Sequence, residues 1–149
     1  MQSKFVILGA TAVALGGATW LMAAGGAPAV TYIPHDKVAA SLTKGGNLVT
    51  APDLIVLGAH RAEAGQVEVH DKETDVMYMV EGSATIVTGG TMIGGKSTGP
   101  GQVRGKEIQG GQTQHLTKGD VMVIPAGIPH WFKEVPSTVS YYVVKVLKP

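Results

Sequence analysis

The chain has 149 residues, 44% of them hydrophobic, 15% charged and 5% aromatic, which suits one ordinary domain with a core and excludes a two-domain enzyme. Formal net charge is +1; with Lys4 set aside from the 12 basic residues, 11 basic face 11 acidic side chains beyond position 29. No basic stripe follows from that balance, so no nucleic acid is expected as a partner. The absence of cysteine removes disulfides, thiolate metal sites, lipid attachment to Cys and cysteine nucleophiles, leaving His, Asp, Glu and hydroxyl groups for any chemistry.

Lys4 precedes an uncharged apolar run over residues 5–24, followed by Gly25, Gly26, Ala27, Pro28 and Ala29. A basic start, an apolar stretch and an Ala-x-Ala pattern predict a secretory leader over residues 1–29, cleaved before Val30. The competing reading is an uncleaved anchor, because twenty apolar residues can span a bilayer. Either way the folded part is expected to be exported, periplasmic or secreted, with no stable membrane contact once the leader is cleaved. The absence of cysteine suits an oxidising compartment.

Residues 30–149 are expected to form one domain. Asp36 as N-cap, apolar Val38, Ala39 and Leu42, and a stop at Gly45 predict one short helix. Apolar, β-branched runs then recur at 54–57, 67–69, 76–80, 84–88, 121–124, 131–135 and 139–147, separated by turn residues. Many short strands with almost no helix predict an all-β sandwich or barrel. Residues 89–111 break the rhythm with 9 glycines in 23 positions. They read as a long loop or loose hairpin supplying little to a core, either a surface insertion or a lid over a pocket mouth.

Of the five histidines, His70 is the most informative. In the strand Gln66-Val67-Glu68-Val69-His70, Glu68 and His70 project from one face. Their spacing, about 6.6 to 6.8 Å of rise, lets two side chains of this length converge on one ion. The alternative is a strand rotated so that Glu68 faces water. Asp75 opens the run to Gly82, read as a strand ended by a glycine turn, and can reach back toward the same centre or pair with Lys72. In residues 119–130, Gly119-Asp120 makes a turn, four apolar residues make a strand, and Pro125-x-Gly127 makes a corner that delivers His130. His115 is expected to line the pocket or point outward, His60 to do likewise or, with Arg61, to form a solvated edge, and His35 to lie at the surface. No dinucleotide fingerprint, P-loop or Gly-x-Ser-x-Gly elbow is present.

Together these segments resemble the two motifs of the cupin superfamily. The second, Gly, five residues, Pro-x-Gly, two residues, His, matches in full from Gly119 through Pro125 and Gly127 to His130. The first matches from its His-x-His onward in spacing but not in chemistry: its His-x-His falls on Glu68 and His70, its Glu on Asp75 and its last Gly on Gly82, while its leading Gly is out of register, at Gly65. The resemblance spans roughly residues 54–146. It implies a double-stranded β-helix or jelly-roll barrel, with a short N-terminal helix and a glycine-rich insertion between the motifs. It also implies a divalent transition metal (Fe, Mn or Zn) held by Glu68, His70, Asp75 and His130. Two histidines and a carboxylate remain a competent facial set for Fe(II), although Asp is shorter than Glu. A homodimer is implied too, with Val67 and Val69, opposite the ligand face, as its possible interface.

Two functions follow as expectations: a metal-dependent enzyme on a small organic molecule, or a binding module for a metal, sugar or other small ligand without turnover. A third is a structural barrel with relic pocket histidines, favoured by the loss of the strict His-x-His. Because one fold hosts many chemistries, neither substrate nor reaction is implied.

Overall fold

The structure, a computed structural model, describes residues 29–149; all but the last residue of the expected leader lies outside them. Among the described residues no helix is long and apolar enough to cross a membrane. Thr31–Pro149 form one compact unit.

The helix α1 spans His35–Lys44 and stops as expected at Gly45, whose N–H donates to the Ser41 carbonyl at 2.9 Å. Its start differs from the expectation. Pro34 holds the N-cap position with no side-chain cap, and its carbonyl takes the Lys37 and Val38 N–H groups. Asp36 lies inside the first turn, where its charge faces the positive end of the helix dipole.

Twelve strands follow in the described chain: β1 (Gly46–Thr50), β2 (Leu54–Arg61), β3 (Val67–His70), β4 (Glu73–Thr88), β5 (Thr91–Ile93), β6 (Lys96–Gly99), β7 (Gln102–Gly105), β8 (Glu107–Gln109), β9 (Gln112–Thr117), β10 (Val121–Ile124), β11 (His130–Glu134) and β12 (Val139–Leu147). All pairings are antiparallel. One layer runs β1-β2-β12-β4-β10, using the first half of β4; the other runs β6-β7-β3-β11-β4-β9, using its second half. The chain is thus an all-β jelly roll, as expected.

The two runs expected at 76–80 and 84–88 are one sixteen-residue strand that passes from one layer to the other. Gly82 is its bend, not a turn that ends it. Its φ is +78°, and a Cβ there would lie 2.0 Å from the Thr138 carbonyl oxygen. Only glycine fits both the backbone and the space. The bend coincides with a register shift against β12, where the facing residue changes from Glu81 at Ser140 to Met79 at Tyr141.

Between the layers lie Met77, Met79, Tyr141 and Val143 from one side and Ala84, Ile86, Leu116 and Phe132 from the other, all buried. The Phe132 and Tyr141 rings stack across the gap at 5.0 Å. The larger aliphatic and Phe side chains among them contribute about 1.5–3 kcal/mol each when fully buried, so this seam dominates what holds the sheets together.

Residues 89–111 are not a loop. They form β5 to β8: β7 pairs along the whole of β3, β6 adds outside it, and β5 pairs with β8. Ile108 of β8 is buried with Val67 and Val87 in a second small core. Val67 is therefore fully buried within its own chain, which removes it from the expected dimer interface. His60 is exposed and lies beyond the reach of β1, whose pairing with β2 covers Ile55 to Gly58, so β12 alone flanks it, and its Nδ1 is 2.9 Å from Ser140 Oγ. His35 and His115 are exposed.

Candidate metal centre

The alternation of β3 sends Glu68 and His70 inward, as the sequence predicts. Antiparallel pairing of β3 with β11 then sets His130 directly opposite Glu68. The corner before His130 is fastened to the first motif: the Gly127 N–H donates to the His70 carbonyl at 2.8 Å, and the Ala126 N–H reaches Thr74 Oγ1 at 3.3 Å. Asp75 arrives from the other layer, on the first half of β4. All four residues expected as ligands therefore converge on one place, with His70, Asp75 and His130 buried and the Glu68 side chain 20% exposed.

Four donor atoms face each other there. His70 Nε2 lies 3.5 Å from Glu68 Oε2 and 3.7 Å from Asp75 Oδ2; His130 Nε2 lies 3.9 Å from each of the same oxygens. Metal–ligand bonds of about 2.0–2.1 Å put tetrahedral ligands roughly 3.3 Å apart, a little less than these four separations; Glu68, His70 and His130 form one group whose donor atoms all lie within 4.8 Å of one another, and His70, Glu73 and Asp75 form a second.

The imidazoles are oriented from behind. His130 Nδ1 donates to the Ile128 carbonyl at 3.1 Å, and His70 Nδ1 donates to Gln102 Oε1. Each bond fixes the proton on Nδ1 and leaves the Nε2 lone pair for the centre, the arrangement that metal-binding histidines use. His70 Nε2 is buried and has no hydrogen-bond partner among the described residues. Such an orphan costs about 1–3 kcal/mol unless something else satisfies it.

The side chains that hold these four from behind were not legible in the sequence. Gln102 Nε2 donates to Glu73 Oε1 at 2.8 Å, Lys145 Nζ bonds Glu73 Oε2 at 2.8 Å, and the same ammonium bonds Asp75 Oδ1 at 2.8 Å and Oδ2 at 3.1 Å. Asp75 thus pairs with Lys145, not Lys72. On the far side, Arg61 Nη2 and Arg104 Nη1 each lie 3.4 Å from a Glu68 oxygen. Arg61 is braced by its Nε–H bond to the Tyr141 hydroxyl at 2.8 Å and by the Phe132 ring, 4.6 Å below its guanidinium carbon.

These charges set the ionisation of the site. Burial opposes a charge on Glu68, but His70, Arg104, His130 and Arg61 together outweigh it and hold its carboxyl at about 2. Burial likewise dominates at His130 and pushes it below the ordinary imidazole value. At His70 burial acts in the same direction, yet the Glu68 carboxylate at 3.5 Å and the Asp75 charge carry it above that value. A cavity of about 250 Å³ opens onto Glu68, Asp75 and His130, with Arg61, Arg104 and Lys145 on its polar side and Leu57, Met77, Phe132 and Val143 on its apolar side.

Comparison with known proteins agrees with this architecture. The family model described as Cupin matches residues 62–149. No curated protein shows significant sequence similarity. Among solved structures, BH2720 from Bacillus halodurans is similar with a TM-score of 0.55 and 14% identity over 84% of this chain and 85% of that one. KdgF from Halomonas sp. is similar with a TM-score of 0.51 and 15% identity, covering 70% and 78%. Peruvianin-I, a cysteine peptidase from Thevetia peruviana latex, shares 16% identity with a TM-score of 0.43, over 64% of this chain; the chain spans about half, 51%, of its length. At such identities the likeness is one of fold.

Proposed function

Because this chain belongs to the cupin family, we propose that Glu68, His70, Asp75 and His130 hold a divalent transition ion, Fe, Mn or Zn. We propose further that the protein is a metal-dependent enzyme acting on a small organic molecule. The observation that carries the reading is His70 Nε2, buried, deprived of a hydrogen-bond partner and aimed among three other donors. Two imidazoles and two carboxylates suit a borderline divalent ion. When bound, such an ion supplies Lewis-acid polarisation of a substrate oxygen or activation of water or dioxygen.

The chain's own groups have separate duties in this reading. Gln102 and the Ile128 carbonyl hold the imidazoles in the ligating tautomer. Lys145 offsets the Asp75 charge, and the apolar wall excludes water from one side of the pocket. The test is elemental analysis of residues 30–149, purified without chelator or affinity nickel, beside a His70→Ala/His130→Ala variant. Near-stoichiometric metal that disappears in the variant supports the site; no metal in either, even after reconstitution, rejects it.

A second reading is a binding module without turnover. It is favoured by the fact that Glu68, Glu73 and Asp75 are all already ion-paired, which leaves no free carboxylate beside the pocket to move a proton. Turnover of any substrate by metal-loaded protein separates the two. Export is proposed on the leader pattern alone. A homodimer is proposed on the apolar outer face of the sheet, where Tyr78, Val121, Val123 and Val146 are exposed.

A further inference from the structure

The charges around the centre balance only without a metal ion: Arg61, Arg104 and Lys145 face Glu68, Glu73 and Asp75. With neutral imidazoles, a divalent ion leaves two uncompensated positive charges in a partly buried site. Low-dielectric surroundings make such an excess costly, and an anion that enters with the ligand relieves it. We infer that the metal-loaded pocket receives the carboxylate of a small organic acid and that Arg104 binds it; this rests on the metal reading above.

The three cations are not equivalent. Lys145 is committed to Glu73 and Asp75, with contacts of 2.8 Å to each. Arg61 is held by Tyr141 and lies over Phe132. Arg104 is the cation left over. Its Nη1 is buried and has no hydrogen-bond partner among the described residues, and its attraction is to Glu68 Oε2 at 3.4 Å. That oxygen also faces His70 and His130, so an ion held there competes with Arg104 for it. A guanidinium freed in this way presents a planar fork that matches a two-oxygen head. The Arg104 side chain is 31% exposed, which gives the head a route from solvent.

Size and lining narrow the rest of the ligand. About 250 Å³ lies below the range of pockets for drug-sized molecules. Leu57, Met77, Phe132 and Val143 offer the body of the ligand an apolar wall. One free planar fork favours a carboxylate over a phosphate, whose further oxygens would have no donors. The expected ligand is a compact acid with one carboxylate and a short apolar body.

Benzoate and its uncharged isostere benzamide test this by calorimetry on protein loaded with Zn(II), its zinc content measured first. Benzoate is expected to bind zinc-loaded parent at least tenfold tighter than benzamide, and at least tenfold tighter than it binds metal-free protein. In Arg104→Gln the preference is expected to fall below threefold, with zinc content and melting temperature retained. Arg104→Lys, which keeps the charge without the fork, is expected between the two and serves if the glutamine variant does not fold. One zinc per chain without a preference for benzoate overturns this inference and leaves the metal reading standing. So does an undiminished preference in Arg104→Gln, or tighter binding of inorganic phosphate than of benzoate. Failure to take up zinc overturns both.

Discussion

Asp75 on β4 and Lys145 on β12 are direct cross-strand partners, and their side chains meet at 2.8 Å on the inner face of the sheet. Strand register thus delivers a cation to the carboxylate that the centre needs most deeply buried. Removing it in Lys145→Met takes the ammonium away from Asp75 and Glu73 in a poorly solvated place and leaves Glu73 the Gln102 amide. A loss of about 3 kcal/mol is expected for metal-free protein, since breaking a buried pair strands its partner's charge. Added zinc is expected to restore most of it, because the ion then supplies the missing charge. Thermal melts with and without zinc check this; an equal loss in both contradicts it.

In the proposed metal site Gln102 would touch no ion itself; it accepts from His70 Nδ1 and donates to Glu73. Gln102→Leu removes the acceptor for Nδ1–H, so the ring is free to change tautomer and to rotate. Zinc affinity is expected to fall about 10–100-fold, the usual effect of removing an outer-shell partner. Competition with a chromophoric chelator measures it, with circular dichroism checking that the fold persists.

At Gly82 the expected cost is structural. Gly82→Ala places a methyl 2.0 Å from the Thr138 carbonyl oxygen and strains a backbone at φ +78°. A destabilisation of about 3 kcal/mol or more is expected from combined clash and strain. Urea unfolding gives the number; a change under 1 kcal/mol, well below that of a backbone clash, would sink the assignment of Gly82 as an obligatory bend.

The outer face of the first layer bears Tyr78 beside Val121, with Val123 one step along β10, all between 47% and 61% exposed. β10 is paired only with β4 in the described sheet, so this apolar face continues to its edge. A dimer through this face is expected, and Tyr78→Glu/Val121→Glu is expected to be monomeric. Light scattering at micromolar concentration decides: a monomeric parent, or a dimer indifferent to both charges, rejects it.

The parts of the site that lie close in sequence were legible, and those joined by pairing were not. Two-residue alternation put Glu68 and His70 on one face, and the Pro125-x-Gly127 corner aimed His130; local geometry suffices for both. Arg61, Arg104 and Lys145 reach the centre from strands 7 to 77 residues away from Glu68 along the chain. Their positions depend on registers that no local pattern encodes. The insertion misled for a related reason. Nine glycines suggested a loop, yet the pairing of β7 with β3 sets Gln102 opposite His70 and Arg104 opposite Glu68. Gly82 looked like a turn because a positive φ suits a turn and a bend alike; the difference is made by Thr138, 56 residues later.

The passage of β4 from one layer to the other also bears on how the molecule opens. Glu68, His70 and His130 stand on one layer, and Asp75 with its Lys145 stands on the other. An ion shared among them is a rivet through both plates, and parting the plates would require drawing it out. Occupancy would then slow the opening of the whole roll more than the fraying of any one strand. Amide exchange would register it as protection rising together at Leu57 on β2 and Leu116 on β9, residues of opposite layers, neither of them a proposed ligand.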